Sequence, residues 1–350
     1  MDLIVLAASF GVILLGAELF TNGIEWFGHK LELAEGAVGS VLAAVGTALP
    51  ETMIPLIAIV FGRSDEASHV GVGAILGAPF MLSTLAMFVT GTAVLLLRRR
   101  RATGEAMVVD TAVLGKDMTY FAVGYGLALG AAFLPVDPPW TRWVVAAVLL
   151  GLYSFYVRAH LAAEVMENDP AELAPLRLHR LDRRAPPDLV SPRLRIVTVQ
   201  VVVALVAIVL GADVFVGAIR DLAASLGADP TLLALVIAPI ATELPEKLNS
   251  VIWVRQGKDT LAMGNITGEM VFQSVFPTSI ALLFAPATWA VTADSLLPFA
   301  SAGITFLAAA AVFLPMARRG RLPGRSLLVG GAFYALYLVL VGAAVAGVGA

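Results

Sequence analysis

The sequence predicts an all-α polytopic membrane protein, with ten transmembrane helices arranged as two inverted five-helix repeats. Three observations lead there. The 350-residue chain is 59% hydrophobic and 14% charged, with a mean hydropathy of +0.88, whereas roughly a quarter of residues are charged in soluble domains. Ten long apolar runs reach the ~20 residues that a helix needs to cross a hydrocarbon core. A block of the first half also returns in the second half at a fixed offset. The same composition narrows the function. A net charge of −3 gives no basic field for nucleic acid, and the absence of cysteine removes disulfides, thiolate metal sites and cysteine nucleophiles. The 32 glycines and 19 prolines suit close-packed, locally broken helices better than the alternating strands of a β-barrel.

The expected spans lie near 3–22, 36–61, 70–97, 117–135, 140–159, 194–217, 231–255, 260–286, 292–316 and 325–348. The first opens Met1-Asp2 with no basic segment ahead of it, so it reads as a retained span. Loops after odd-numbered spans hold 19 of the 23 Lys and Arg residues, including Arg98 to Arg101, Arg177 to Arg195 and Arg318 to Arg325. The opposite loops hold Arg63, Arg142 and Arg220, and Lys247 is the single cation inside a span. The positive-inside rule then places both termini outside an inner or plasma membrane. Residues 160–193 mix Arg, Glu and Asp with five prolines and read as a cytoplasmic linker between a first unit, 1–159, and a second, 194–350.

The repeat is explicit. Gly16-Ala17-Glu18-Leu19-Phe20 recurs as Gly211-Ala212-Asp213-Val214-Phe215. At the same offset Thr47-Ala48-Leu49-Pro50-Glu51 falls on Thr242-Glu243-Leu244-Pro245-Glu246, and Gly62 falls on Gly257. After a four-residue contraction, Gly73-Ala74-Ile75-Leu76-Gly77 aligns with Gly264-Asn265-Ile266-Thr267-Gly268, and Ser83 with Ser274. Five spans per copy make the second copy enter from the opposite side. That architecture belongs to secondary transporters, which bind substrate near the midplane on interrupted helices. Pro50 and Pro245 would supply the interruptions, and Gly73, Gly77, Gly264 and Gly268 would let spans 3 and 8 pack tightly against them.

A carboxylate at mid-bilayer costs about 2.5–3.5 kcal/mol on insertion scales and marks a functional site by default. Glu51 and Glu246 meet that description and are related by the repeat. With Thr47 and Thr242 one turn earlier, they form an oxygen nest suited to a hard cation. A bland reading is two protonated glutamates hydrogen-bonded inside the bundle. Glu243 and Glu269 occur only in the second copy, opposite Ala48 and Ala78. Glu243 shares a helix face with Glu246 but stands four residues before Lys247, so it is either a ligand or that lysine's ion-pair partner. Glu269 lies within a turn of Asn265 and Gln273 and reads as a site residue. Glu18 and Asp213 suit vestibule or packing roles. His29, His69, His160 and His179 fall in loops or at span ends and read as solvated, while Asp110, Lys116 and Asp117 read as interfacial anchors.

These residues resemble the cation/calcium exchanger superfamily, which includes sodium/calcium exchangers. Its helices carry Gly-Thr-Ser-x-Pro-Glu and Gly-Asn-x-x-Gly-Ser-Asn-x-x-Asn/Asp. This chain has Gly46-Thr47-Ala48-Leu49-Pro50-Glu51 and Ala241-Thr242-Glu243-Leu244-Pro245-Glu246, followed by Gly73 to Leu82 and Gly264 to Gln273. The resemblance implies that Glu51 and Glu246 are the central calcium ligands and that Thr47 and Thr242 supply further oxygens. It also implies that spans 1 and 6 move against the rest. Positions that bind sodium in the family are here Ala48, Ala78 and Leu82, and then Glu243, Glu269 and Gln273.

The expectation is therefore an antiporter of Ca²⁺ or a similar divalent cation, with protons as the candidate coupling ion and a metal site of Glu51, Glu246, Thr47, Thr242, Glu269, Glu243 and Asn265 modulated by Lys247. The alternatives are sodium-coupled exchange and a sensor or scaffold that keeps the fold. No cofactor and no nucleic acid are expected, the partners are inorganic cations and the lipid bilayer, and no protein partner is readable from the chain. No hydrolase, protease or nucleotide-binding motif points to an enzyme or to ATP-driven transport.

Overall fold

The computed structural model describes residues 2–60, 65–163, 173–179, 191–225, 244–291 and 295–348. The elements in order are α1 (Asp2–Lys30); a helical turn Glu35–Ala37 continuing through a π-helical turn Val38–Ala43 into α2 (Ala44–Val60); and α3 (Asp65–Met81), which passes through a second π turn, Leu82–Ala86, into α4 (Met87–Leu97). Strand β1 (Ala106–Val108), α5 (Thr111–Ala131) and α6 (Trp140–Leu161) follow. After the linker come α7 (Leu194–Ser225), α8 (Leu244–Gln256), α9 (Asp259–Phe284), α10 (Leu296–Arg319), β2 (Arg321–Pro323), a short turn of helix and α11 (Val329–Val348). Among the described residues, seven stretches are long and apolar enough to cross a membrane: Ile4–Lys30, Val72–Arg100, Trp140–Leu161, Leu194–Phe215, Asp259–Phe284, Pro298–Met316 and Gly324–Gly342. The other three expected spans correspond to the run through α2, to α5 with its Lys116 and Asp117, and to α8, whose expected first half lies outside the described residues.

Local chemistry sets several of these boundaries. Asp110 caps α5, its carboxylate accepting from the backbone N–H of Ala112 at 2.7 Å and of Val113 at 3.4 Å. Such a cap is worth about 1 kcal/mol. Gly320 ends α10 with φ at 62°, a left-handed conformation that glycine adopts without steric cost. The chain then turns into β2, which pairs antiparallel with β1 as Ala106↔Pro323, Met107↔Leu322 and Val108↔Arg321.

Contacts sort the connecting segments onto two sides. On one, β1 and β2 join the segments after α4 and α10. Arg101, also after α4, pairs at 2.8 Å with Asp259 at the start of α9. Glu25, near the end of α1, accepts from the indole N–H of Trp253 at 2.8 Å and pairs with Lys258. The linker residue Leu176 is 2% exposed, lodged against Trp26 and Val197. On the other side, the Arg142 guanidinium donates to the carbonyls of Pro286, Trp289 and Leu134. The segments that follow α1, α4, α6, α8 and α10 thus touch one another.

At the centre is α9. It packs against α5, α6, α2 and its π turn, α3 and α8, while α1 runs along α7. The close approach is made by Gly264 and Gly268, whose Cα atoms face Ser40 in the π turn so tightly that a Cβ on Gly268 would collide with the Ser40 carbonyl. For the first-half pair, the stretch that repeats the π turn at the offset of 195, near residue 235, lies outside the described residues. A Cβ on Gly73 would meet only Pro298, at 4.0 Å, and one on Gly77 would meet nothing described within 4 Å. The shared spacing of glycines permits close packing; the neighbours decide whether it happens.

Candidate cation site

Asn265, Glu269 and Gln273 are spaced four apart on α9 and so form one stripe along the helix. All three are buried, Glu269 at 0% exposure. The stripe reaches α2 through Gln273, whose side-chain carbonyl accepts from the Thr52 hydroxyl at 3.3 Å. Thr52 directly follows Glu51, so this bond brings the Pro50-Glu51 stretch of α2 against the polar face of α9. One turn earlier on α2, Thr47 is buried and donates its hydroxyl proton to the Ala43 carbonyl at 3.0 Å. That arrangement leaves its oxygen lone pairs available to a cation.

From α8, Lys247 and Asn249 are buried, Lys247 at 4% exposure. Both side-chain polar atoms of Asn249 and of Asn265, and the Gln273 amide nitrogen, lack a hydrogen-bond partner among the described residues. Leaving a buried polar group unmet costs about 1–3 kcal/mol. Buried amides in such a setting are normally satisfied by water or by an ion. Glu269 and Lys247 are both engaged with other groups. Glu51 and Glu246 lie on α2 and α8, but their side chains lie outside the described residues, as do Thr242, Glu243 and Gly62 altogether. Among the described residues no group of three or more His, Asp or Glu forms a metal cluster.

A second polar cluster overturns two expectations. Asp117 is 0% exposed and His160 1% exposed, so neither is an interfacial anchor or a solvated residue. Asp117 Oδ1 accepts from the Tyr156 hydroxyl at 3.0 Å and lies 2.8 Å from His160 Nε2. Its Oδ2 accepts from Ser40 at 2.8 Å and Thr267 at 2.5 Å. Position along a helix misled here, because α9 and the π turn cover the ends of α5 and α6. The available signal was the i, i+4 spacing of Tyr156 and His160, which puts two polar side chains on one face of α6. The neighbouring residues behave differently: Asp110 is an exposed cap, and Lys116 donates to the Ala159 carbonyl at 2.8 Å. Glu18 forms a partly exposed pair with Arg177 of the linker at 2.6 Å, and Asp213 is exposed.

A helical bundle with apolar flanks and a fully buried stripe of carboxylate and carboxamides at its centre defines a class: a multi-pass integral membrane protein built around an interior polar site. The model of the family "Sodium/calcium exchanger protein" matches residues 1–161 and 196–346, and the chain belongs to that family. It is similar to the "Putative antiporter CaxA" of Alkalimonas amylolytica, 26% identical over 279 residues that make up 79% of each chain. An uncharacterized membrane protein of Methanocaldococcus jannaschii, MJ0091, is 21% identical over 267 residues, 75% of each. Among solved structures, the sodium-calcium exchanger NCX_Mj soaked with Na⁺ and Ca²⁺ superposes with a TM-score of 0.71 at 16% identity, over 97% of both chains. Its form without Na⁺ and Ca²⁺ gives 0.72, over 97% of this chain and 98% of that one. The fold is therefore the exchanger fold.

Proposed function

We propose that the protein is a secondary active antiporter that exchanges Ca²⁺ or a similar divalent cation by alternating access, using protons in place of sodium. In this reading ten helices form two inverted units, 1–159 and 194–350, joined by the cytoplasmic linker 160–193, with both termini outside an inner or plasma membrane. Glu51 and Glu246 are the central ligands. Thr47, Thr242, Asn265, Glu269 and Glu243 complete the oxygen set, and Lys247 tunes its charge. The protein is a carrier and not an enzyme.

The observation that carries this reading is the stripe of Asn265, Glu269 and Gln273, buried on the central helix with amide atoms unmet among the described residues. A buried carboxylate that alternates between a metal and a proton supplies coupling without a separate sodium site. Similarity to a putative antiporter supports exchange, and membership of the sodium/calcium exchanger family favours sodium as the second coupling ion to test.

The deciding experiment is Ca²⁺ uptake into proteoliposomes under an imposed pH gradient or an imposed sodium gradient. Uptake driven by pH alone is expected; uptake that follows sodium and ignores pH refutes proton coupling. Absence of flux in both, with Glu51→Gln indistinguishable from wild type, would identify a scaffold.

A further inference from the structure

The Asp117 cluster takes no part in the cation site, yet it is the most densely donated group among the described residues. Four elements meet there: the π turn through Ser40, α5 through Asp117, α6 through Tyr156 and His160, and α9 through Thr267. Two of its hydroxyls have a second acceptor. Tyr156 also lies 3.0 Å from the Ser40 carbonyl, and Thr267 lies 2.9 Å from the Met263 carbonyl. Each hydroxyl has one proton, so it can serve the carboxylate or the backbone, but not both at full strength. With Asp117 ionised, all donors turn to it. With a proton on Asp117 Oδ2, the carboxyl donates to Thr267 Oγ1 and the threonine proton turns to Met263. Both states leave every member bonded, which a fully buried carboxylate needs.

We propose that Asp117 and His160 form a proton-binding site, separate from the cation ligands, whose occupancy acts on α9 through Ser40 and Thr267. The imidazole nitrogen and the carboxylate oxygen stand 2.8 Å apart, close enough to hold one proton between them. His160 Nδ1 has no hydrogen-bond partner among the described residues and faces Gly36 at the mouth of the π turn. The other titratable or charged groups around the pair are Tyr153 and Tyr156 on α6, Tyr120 and Lys116 on α5, and Glu35 beside Gly36. The acids of α9, Asp259 and Glu269, stand eight residues before and two after Thr267, and Glu269 lies about 200° around the helix from it. The route to transport is short. Ser40 bonds Asp117 and also abuts Gly264 and Gly268, the residues immediately before Asn265 and Glu269.

The consequence for transport rests on the antiport reading, but the site itself can be tested without any cation. Thermal midpoints of wild type and His160→Gln, measured in detergent without divalent cations at pH 5.5 and 8.5, cancel all other titrating groups when subtracted. The difference is expected to change by about 3 °C or more between the two pH values; parallel curves within about 1 °C overturn the proposal. If His160→Gln does not fold, Tyr156→Phe replaces it, since it removes one switching hydroxyl and keeps the ring. In proteoliposomes with equal pH on both sides, the ratio of Ca²⁺ flux at pH 5.5 to that at 8.5 is expected to change at least threefold in the variant, with KM for Ca²⁺ held. An unchanged ratio, with the stability effect present, overturns the link to α9. If wild type shows no flux under any gradient, the antiport reading fails and the stability measurement still decides this one.

Discussion

Helix α9 and the run through α3 and α4 are paired by the internal repeat, yet they have become different objects. In α9, 83% of the most apolar stretch is buried, against 61% for Val72–Arg100. Gly264 and Gly268 are pressed onto Ser40, whereas Gly73 and Gly77 touch almost nothing described. Where α9 carries Glu269 and Gln273, its counterpart has Ala78 and Leu82. The paired serines behave alike: Ser83 bonds the carbonyl three residues earlier at 3.1 Å, and Ser274 does the same at 3.0 Å. A hydrogen bond inside one helix survives divergence because its partner travels with it. A contact between helices depends on what the neighbour has become.

The comparison breaks most visibly at the glycines. Gly268→Ala should cost on the order of 3 kcal/mol, because its methyl meets backbone that cannot rotate away. Gly77→Ala should cost less, since no described atom lies within 4 Å of its added methyl. Thermal midpoints and the folded fraction after purification read both, and equal effects would mean that the two helices are packed alike. The polar stripe gives the next largest effect. Glu269→Gln should lower Ca²⁺ flux, or the midpoint shift caused by Ca²⁺, by at least about tenfold in apparent affinity, or ~1.4 kcal/mol. Ala78→Glu should restore none of it, since its helix lacks the buried amides around position 269. The smallest effect belongs to the link between α2 and α9. Thr52→Val should cost about 1 kcal/mol, because its hydroxyl is shared between Ala48 at 2.8 Å and Gln273 at 3.3 Å. A cost near zero would mean that neither bond contributes to holding α2 against α9.

Much of this was legible in the chain. Apolar runs declare spans because lipid offers no partner for backbone polar groups, which must be satisfied within each helix. The burial of Glu269 was legible for the same reason: a carboxylate within such a run is enclosed by the bundle and not left facing lipid. Asp117 and His160 were not. Each sits near an end of its helix, where a sequence reads interface, and only the crossing of α9 and the π turn seals them from solvent. The π turn itself has no sequence signature, and it is what aims Ser40 at Asp117.

The sequence by itself determined the class and the family motif, because these depend on composition and on spacing along one helix. The tertiary structure decided which described glycines are crowded, and that Asp117, a carboxylate outside the motif, is as fully enclosed as Glu269. Burial is a property of several helices at once, and no single stretch of chain encodes its own neighbours.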